Sequence, residues 1–460
     1  MRIITNALNK VKIFYIKLEF NISFLIIEAK MKFYLLLSIQ LISISVIYTE
    51  HISDVTKFGA DIKGVHKSTD AIHKAIDDAV SKGGGTVFFP KGEYLSGPIH
   101  LKSNIALHLE ENAIIKFSQN FDDYLPMNSG GTGEVGFTAL INAYKVQNIA
   151  IRGKGVLDGQ GSVWWAEYLK LKEEYQKTKK RESKYQKEYL HLIKKETDDV
   201  AFPRPLFINP YESKHIIIED ITLKNSPMFH MTPTFCEDLT IRNMKLETPV
   251  TAPNTDGIDP NSCKNVLISN VQISVGDDCM AMHSRGVHGS RDGHPLENVL
   301  ITGVHCNGGH AGFAIGTGSS GAIRNITVAN CVYNGVDRGL SIKTMRGRGG
   351  VTENIHFHNI TMNEIKKDGI FITMFYAPGN QLKIDTKVEP FSDKTPIIRN
   401  IEYKDIKGSV LKNAITMAGL PESPVDGISL TNINLKAKSG INLTNTKNVV
   451  QKSVVIEKIH

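Results

Sequence analysis

The sequence predicts an all-β protein built as a single parallel β-helix with an N-terminal capping helix. Three observations carry that expectation: a short phrase that recurs from residue 148 onward, a strict period-two alternation inside each copy, and one amphipathic helix ahead of the first copy. At 460 residues the chain has the length of several ordinary domains, but elongated all-β folds exceed that size as single units.

The first fifty residues stand apart. Met31-Lys32 precede the apolar run "FYLLLSIQLISISVIY", and a polar stretch begins at Thr49. This is the layout of a secretory signal, short for a membrane span and not followed by a stop-transfer segment. Residues 1–49 are read as leader and signal peptide with Met31 as an alternative start, and residues 50–460 as the folded domain. The expectation is a secreted or periplasmic protein without stable membrane association after cleavage; an uncleaved anchor is the competing reading.

Residues 68–80, "STDAIHKAIDDAV", form the amphipathic helix, opened by a Ser/Thr/Asp cap and closed by the glycines at 83–85. Its expected task is to cover the first coil, because an open β-helix end exposes a strand edge. The recurring phrase then appears as "NIAIRG" from 148, "HIIIEDITLKN" from 215, "DLTIRNMKL" from 238, "NVLISNVQIS" from 265, "NVLITGVHCN" from 298 and "NITVANCVYN" from 325. "NIHFHNITMN" and "NIEYKDIKG" continue it. Helical solenoids are excluded because no unit has a 3.6-residue period, and leucine-rich repeats because no Leu recurs at fixed offsets. Residues 166–199, dense in both charge signs, interrupt the repeat as a helical insertion.

Five cysteines without CxxC spacing, in a chain long enough to need no staples, indicate neither a zinc site nor a disulfide framework. The net charge of +7 suits a polyanionic partner, or equally a solvated surface. No phosphate loop, Ser/His/Asp signature, metal-ligand spacing or basic-aromatic patch stands out. No cofactor, no metal and no nucleic-acid partner are expected, and a monomer is.

In a β-helix, residues of equal phase in neighbouring coils become neighbours in space, roughly 4.8 Å apart. Four segments share one alternation: "TDGIDPNS" (255–262), "DDCMAMHS" (277–284), "HAGFAIGT" (310–317) and "DRGLSIKT" (337–344). Aligned, Ile258, Met280, Phe313 and Leu340 point inward. Asp259, Ala281, Ala314 and Ser341 form one outward row, and Asn261, His283, Gly316 and Lys343 the next. Asp256 falls beside Asp278, and Asp277 beside His310 and Asp337, so three carboxylates and a histidine converge. Crowded carboxylates raise one another's pKa, so one can stay protonated while another is ionised, as glycoside hydrolysis requires. Asp256 and Asp278 would share the water and Asp277, facing away from them, would supply the proton. Single Asp residues at strand ends are more often turn formers, and Asp259 and Asp337 are assigned to that class. His310 gains a proton-tuning role from its place beside Asp277. Lys343, by default a solvated lysine, could hold a substrate carboxylate.

These residues resemble the signatures of the polygalacturonase family, family 28 of the glycoside hydrolases, over residues 54–460. The family's Asn-Thr-Asp, Gly-Asp-Asp, Gly-His-Gly and Arg-Ile-Lys are matched by "NTD" at 254–256, "GDD" at 276–278, "GHAG" at 309–312 and "SIK" at 341–343. The resemblance implies a right-handed, pectin-lyase-like β-helix. It also implies inverting hydrolysis of α-1,4-linked galacturonate in pectin, with Asp277 as acid and Asp256 and Asp278 activating water. Asn254, His283, Lys343, Arg338 and Tyr376 are the candidate substrate contacts. Ser341 departs from the family's arginine and removes a bidentate clamp on a substrate carboxylate; Arg338, Arg346 and Arg348 are candidate substitutes. Rhamnogalacturonan or xylogalacturonan is therefore a rival substrate. A calcium-dependent pectate lyase and a non-catalytic carbohydrate-binding β-helix are the rival functions.

Overall fold

The structure, a computed structural model, describes residues 51–125, 137–179, 204–285, 294–316, 319–376, 384–385 and 387–459. The expected leader and the part of the insertion beyond Lys179 lie outside the described residues.

Later coils fuse their first two strands into one, as Ala322–Asn334 ahead of Arg338–Lys343, and coils in the middle of the stack carry three short strands. In one coil these are Lys264–Ser269, Gln272–Ser274 and Ala281–Met282, and in the next Leu296–Thr302, His305–Asn307 and Ala311–Ile315. Every ladder between named strands is parallel, and strands pair with their counterparts one coil away. The recurring phrase is the first of these strands. Its second residue generates one continuous column: Ile149, Ile216, Leu239, Val266, Val299, Ile326, Ile355, Ile401 and Ile428 are paired in turn. All nine are buried, and each such side chain contributes roughly 1.5–3 kcal/mol relative to exposure. The core is therefore a stack of aliphatic layers, and phase in the sequence translates directly into contact.

The corner after the first strand is also encoded. Asn243, Asn270, Asn330, Asn359 and Asn432 all adopt positive φ between 52° and 56°, in the left-handed region that asparagine tolerates better than other residues with a Cβ. Some of these amides bond between coils, as Asn359 Nδ2 does to Asn330 Oδ1 at 2.8 Å.

The capping helix spans Thr69–Ser81 and buries Ala71, Ile72, Ala75, Ile76 and Ala79. Its start differs from the expected cap. The Ser68 hydroxyl accepts from the Asp61 backbone N–H at 2.9 Å instead of from the helix, so it ties the preceding loop to the first turn. A second helix, Ser162–Thr178, opens the charged insertion and is anchored by Trp164, its sole buried residue, which stacks on Phe121 with ring centroids 3.9 Å apart. All five cysteines are buried and unpaired.

Candidate active site

The strand face that carries the candidate residues has the register read from the sequence. Ile258 bridges Met280, Ala281 pairs with Ala314, and Ala314 with Ser341. The turn before it is held by local chemistry. Thr255, fully buried, donates its hydroxyl to the Ala252 carbonyl at 3.1 Å and accepts the Gly276 N–H at 2.9 Å. A Cβ on Gly276 would lie 2.0 Å from the Ala252 oxygen, so only glycine lets the two acid-bearing turns approach. His230, also fully buried, bonds the Asp256 carbonyl through Nδ1 at 2.9 Å and the Thr248 hydroxyl through Nε2 at 2.9 Å. Burial pushes its pKa down to about 4, so the ring is neutral at working pH and fixes the Asp256 backbone.

Asp256, Asp259 and Asp278 are each less than 10 % exposed, and each has one oxygen, Oδ1, without a protein partner. Burial raises the pKa of all three. Asp277 and Asp259 add to it at Asp256, and Asp278 and Asp277 at Asp259. At Asp278 burial, with Asp277 adding to it, outweighs Lys343, whose Nζ lies 3.1 Å from Asp278 Oδ2 and pulls in the opposite direction. Burial by itself would lower the Lys343 pKa, but the Asp278 charge and hydrogen bond outweigh it and hold the ammonium charged. Asp277 Oδ1 accepts the Asp278 N–H at 2.9 Å and meets His310 Nδ1 at 2.8 Å. That bond raises the His310 pKa against the opposing effect of burial.

A cavity of ≈ 220 Å³ opens at Asp277 and Asp278; Asp256 and Asp259 are not among its lining residues. Asp277, Asp278, His310, Arg338, Lys343 and Tyr376 line it, together with Ser341, whose fully buried hydroxyl has no partner. The candidate substrate contacts divide here. Tyr376 faces Lys343, with Nζ 5.8 Å from the ring centre. Arg338 stacks its guanidinium 4.3 Å from the Phe371 ring centre and pairs with Asp368 at 3.2 Å; Phe371 is the neighbour of Ser341 in the next coil. Asn254 and His283 are not among the lining residues. Asn254 Oδ1 accepts from Arg204 at 2.7 Å. The His283 ring lies over Gly316, and burial lowers its pKa to about 4, with Lys343 and Arg285 adding to the effect.

Three expectations are corrected. Asp259, assigned from the sequence to strand-end turn formers, is a buried carboxylate of the cluster; it directly follows the inward Ile258 in the outward row. Asp337 keeps its expected place at the bend before the strand Arg338–Lys343, and it also lines the cavity, ion-paired with Lys367 at 2.7 Å. Asp277 does not face away from Asp278: both line one cavity, and an oxygen of each lies within 4.8 Å of the other. Arg346 is no substitute clamp, since Glu422, Asp385 and the Lys387 carbonyl occupy its guanidinium.

Asp277, Asp278 and His310 present ligand atoms within 4.8 Å of one another and could hold a cation. The set suits calcium poorly: that ion takes six to eight oxygen ligands, whereas here one ligand is an imidazole and Asp278 is already neutralised by an ammonium 3.1 Å away.

A buried carboxylate cluster on the outer face of a right-handed parallel β-helix, beside a groove-like cavity with cations, defines the class of β-helical glycoside hydrolases. The chain belongs to glycosyl hydrolases family 28, whose profile matches residues 83–454. It is 28% identical over 399 residues to a probable polygalacturonase of Vitis vinifera, covering 84% of this chain and 74% of that one. It is likewise 28% identical over 394 residues to an endo-polygalacturonase of Pectobacterium carotovorum subsp. carotovorum, covering 81% and 85%. Among solved structures, a hyperthermoactive exopolygalacturonase from Thermotoga maritima superposes with a TM-score of 0.75 at 28% identity, covering 89% of this chain and 92% of that one. The chain is thus an enzyme, a glycoside hydrolase.

Proposed function

We propose that the protein cleaves α-1,4-galacturonosyl linkages of pectin by inversion. The observation that carries this reading is the set of three buried carboxylates, Asp256, Asp259 and Asp278, each with an oxygen unpartnered, beside the Asp277–His310 pair. A water held between Asp256 and Asp278 would satisfy those oxygens and be polarised for attack on the anomeric carbon. Asp277, with Oδ1 occupied by the Asp278 N–H and His310, keeps Oδ2 for the proton that the leaving oxygen needs. Lys343 opposes the effect of burial on Asp278 and so favours its ionised form, and it offers its remaining hydrogens to a substrate carboxylate. Arg338 and Tyr376 would line the sugar's path, and Asn254 and His283 would border it. The similarity to polygalacturonases supports the substrate class.

Inverting glycosidases usually separate their carboxyl groups by roughly 6.5–9.5 Å and retaining ones by roughly 5–5.5 Å. The short Asp277–Asp278 approach lies nearer the second range. Inversion is favoured nonetheless because Asp256 and Asp278 each leave Oδ1 unpartnered, which suits a shared water better than a covalent intermediate.

A second substrate reading follows from Ser341. The family arginine is replaced by a buried hydroxyl, and Arg338, Lys343 and Lys367 are each paired with a carboxylate, which favours a pectin with a neutral sugar or decoration at that subsite. Chromatography of products from polygalacturonate and from rhamnogalacturonan, with and without chelator, decides. Saturated galacturonate from the first supports the main reading, products only from the second transfer it to the branched or alternating polymer, and unsaturated calcium-dependent products reject both. The apolar leader after Met31 supports action outside the cytoplasm, where such polymers occur.

A further inference from the structure

We propose that His356, His358 and Glu402 form a surface site for one divalent transition-metal cation of the zinc, nickel or copper(II) class, distinct from the catalytic cavity. His356 and His358 flank buried Phe357 in the strand Val351–Ile365, so alternation turns both imidazoles to the same outer face. Glu402 is the register partner of His356 in the adjoining strand, Ile397–Ala418. Its Oε2 lies 2.9 Å from His356 Nδ1 and 3.4 Å from His358 Nε2, and all three ligand atoms fall within 4.8 Å of one another. Zinc bonds of about 2.0–2.1 Å in a tetrahedron set ligand atoms roughly 3.3–3.4 Å apart, so closing on an ion requires only small side-chain adjustments.

The donor set selects the cation. Two imidazoles and one carboxylate match the preferences of borderline transition metals and leave the fourth position to water, whereas calcium and magnesium prefer oxygen. The three side chains are between 32% and 45% exposed, so the site is reachable without opening the fold. Lys404, opposite His358 in the next coil, is exposed and can swing its charge into solvent. Because residues 356 and 402 belong to successive coils, a bound ion would clamp one coil to the next and stabilise the folded state by mass action.

The test titrates Zn²⁺ into the purified protein and into His356→Gln and His358→Gln by calorimetry, with thermal unfolding in parallel. Both variants replace half-buried side chains outside the catalytic cavity, so hydrolysis without added metal should be unchanged. The expected result is one equivalent bound with micromolar-order affinity, at least tenfold weaker in each variant, and a zinc-dependent rise in Tm that both variants lose. Binding that the variants leave intact, or no saturable binding below the millimolar range, overturns the proposal. So does zinc that instead abolishes hydrolysis equally in all three proteins without the Tm effect, since it would then sit at Asp277, Asp278 and His310.

Discussion

Replacing Lys343 with methionine should move the acid limb of the pH–rate profile upward. Lys343 Nζ lies 3.1 Å from Asp278 Oδ2, and the two side chains are only 14% and 8% exposed, so the pair is little screened. At an effective dielectric near 20, unit charges at that separation attract by about 5 kcal/mol, an upper bound before the desolvation that the ammonium also suffers. Opposite charges at such distances typically move a carboxyl by about one to three pH units, or roughly 1.4–4 kcal/mol. Methionine fills the stem's volume while removing the charge, so burial acts on Asp278 without opposition. The carboxylates titrate as a set, and kcat/KM against pH reports that set in the free enzyme. The expected result is an acid limb displaced upward by one to three pH units in Lys343→Met and close to wild type in Lys343→Arg. A correctly folded Lys343→Met enzyme whose limb does not move, whatever its loss of affinity, would refute the assignment of Asp278 as the group that must ionise.

Three further outcomes are expected. Asp259 has a folded-state pKa raised by burial, then by Asp278 and Asp277, so its contribution to stability is present below its unfolded value near 4 and is lost as pH rises through the folded value. Asp259→Asn should accordingly raise Tm by at least about 2 °C at pH 7, with the gain vanishing at pH 3.5; a Tm gain equal at both pH values would show that charge is not the cause. Ser341→Arg, which restores the family's residue on the cavity floor, should lower KM for polygalacturonate about tenfold or more, in line with a charge-assisted contact of about 1.5–3 kcal/mol, and unchanged preference between polymers would remove Ser341 as a specificity determinant. Gly316→Ala would place a Cβ 2.0 Å from the His283 ring and should cost about 1–3 kcal/mol in chemical denaturation; a neutral effect would mean that the ring is free to move.

The parallel coils were legible because a β-helix has one translation and one alternation, and both are written in the primary structure. Ile258, Met280, Phe313 and Leu340 could be stacked on paper, since a one-residue slip would turn every apolar side chain outward. Convergence of Asp256, Asp278, Asp277 and His310 followed from the same register. What phase does not encode is depth and direction of a side chain off its strand. Asp259 is assigned to a turn because single Asp residues at strand ends usually satisfy turn amides, and only the three-dimensional burial distinguishes such a residue from a member of a carboxylate cluster. Asp277 and Asp278, adjacent in sequence, were expected on opposite sides; the irregular turn after Gly276 breaks the strict alternation and lets both reach one cavity. His230 and Arg204 were missed since each acts across sequence distances, on the Asp256 carbonyl and on Asn254, that no local spacing reveals. Arg346 shows the converse: proximity in sequence suggested a clamp, whereas its guanidinium is saturated by Glu422 and Asp385.

The most direct test of hydrolysis by a water shared between Asp256 and Asp278 is proton NMR of the first sugar ends released from polygalacturonate, recorded before mutarotation. Initial appearance of the β-anomer from the α-linkage is expected. Initial appearance of the α-anomer would contradict it, and would assign one of these carboxylates to a covalent glycosyl intermediate instead.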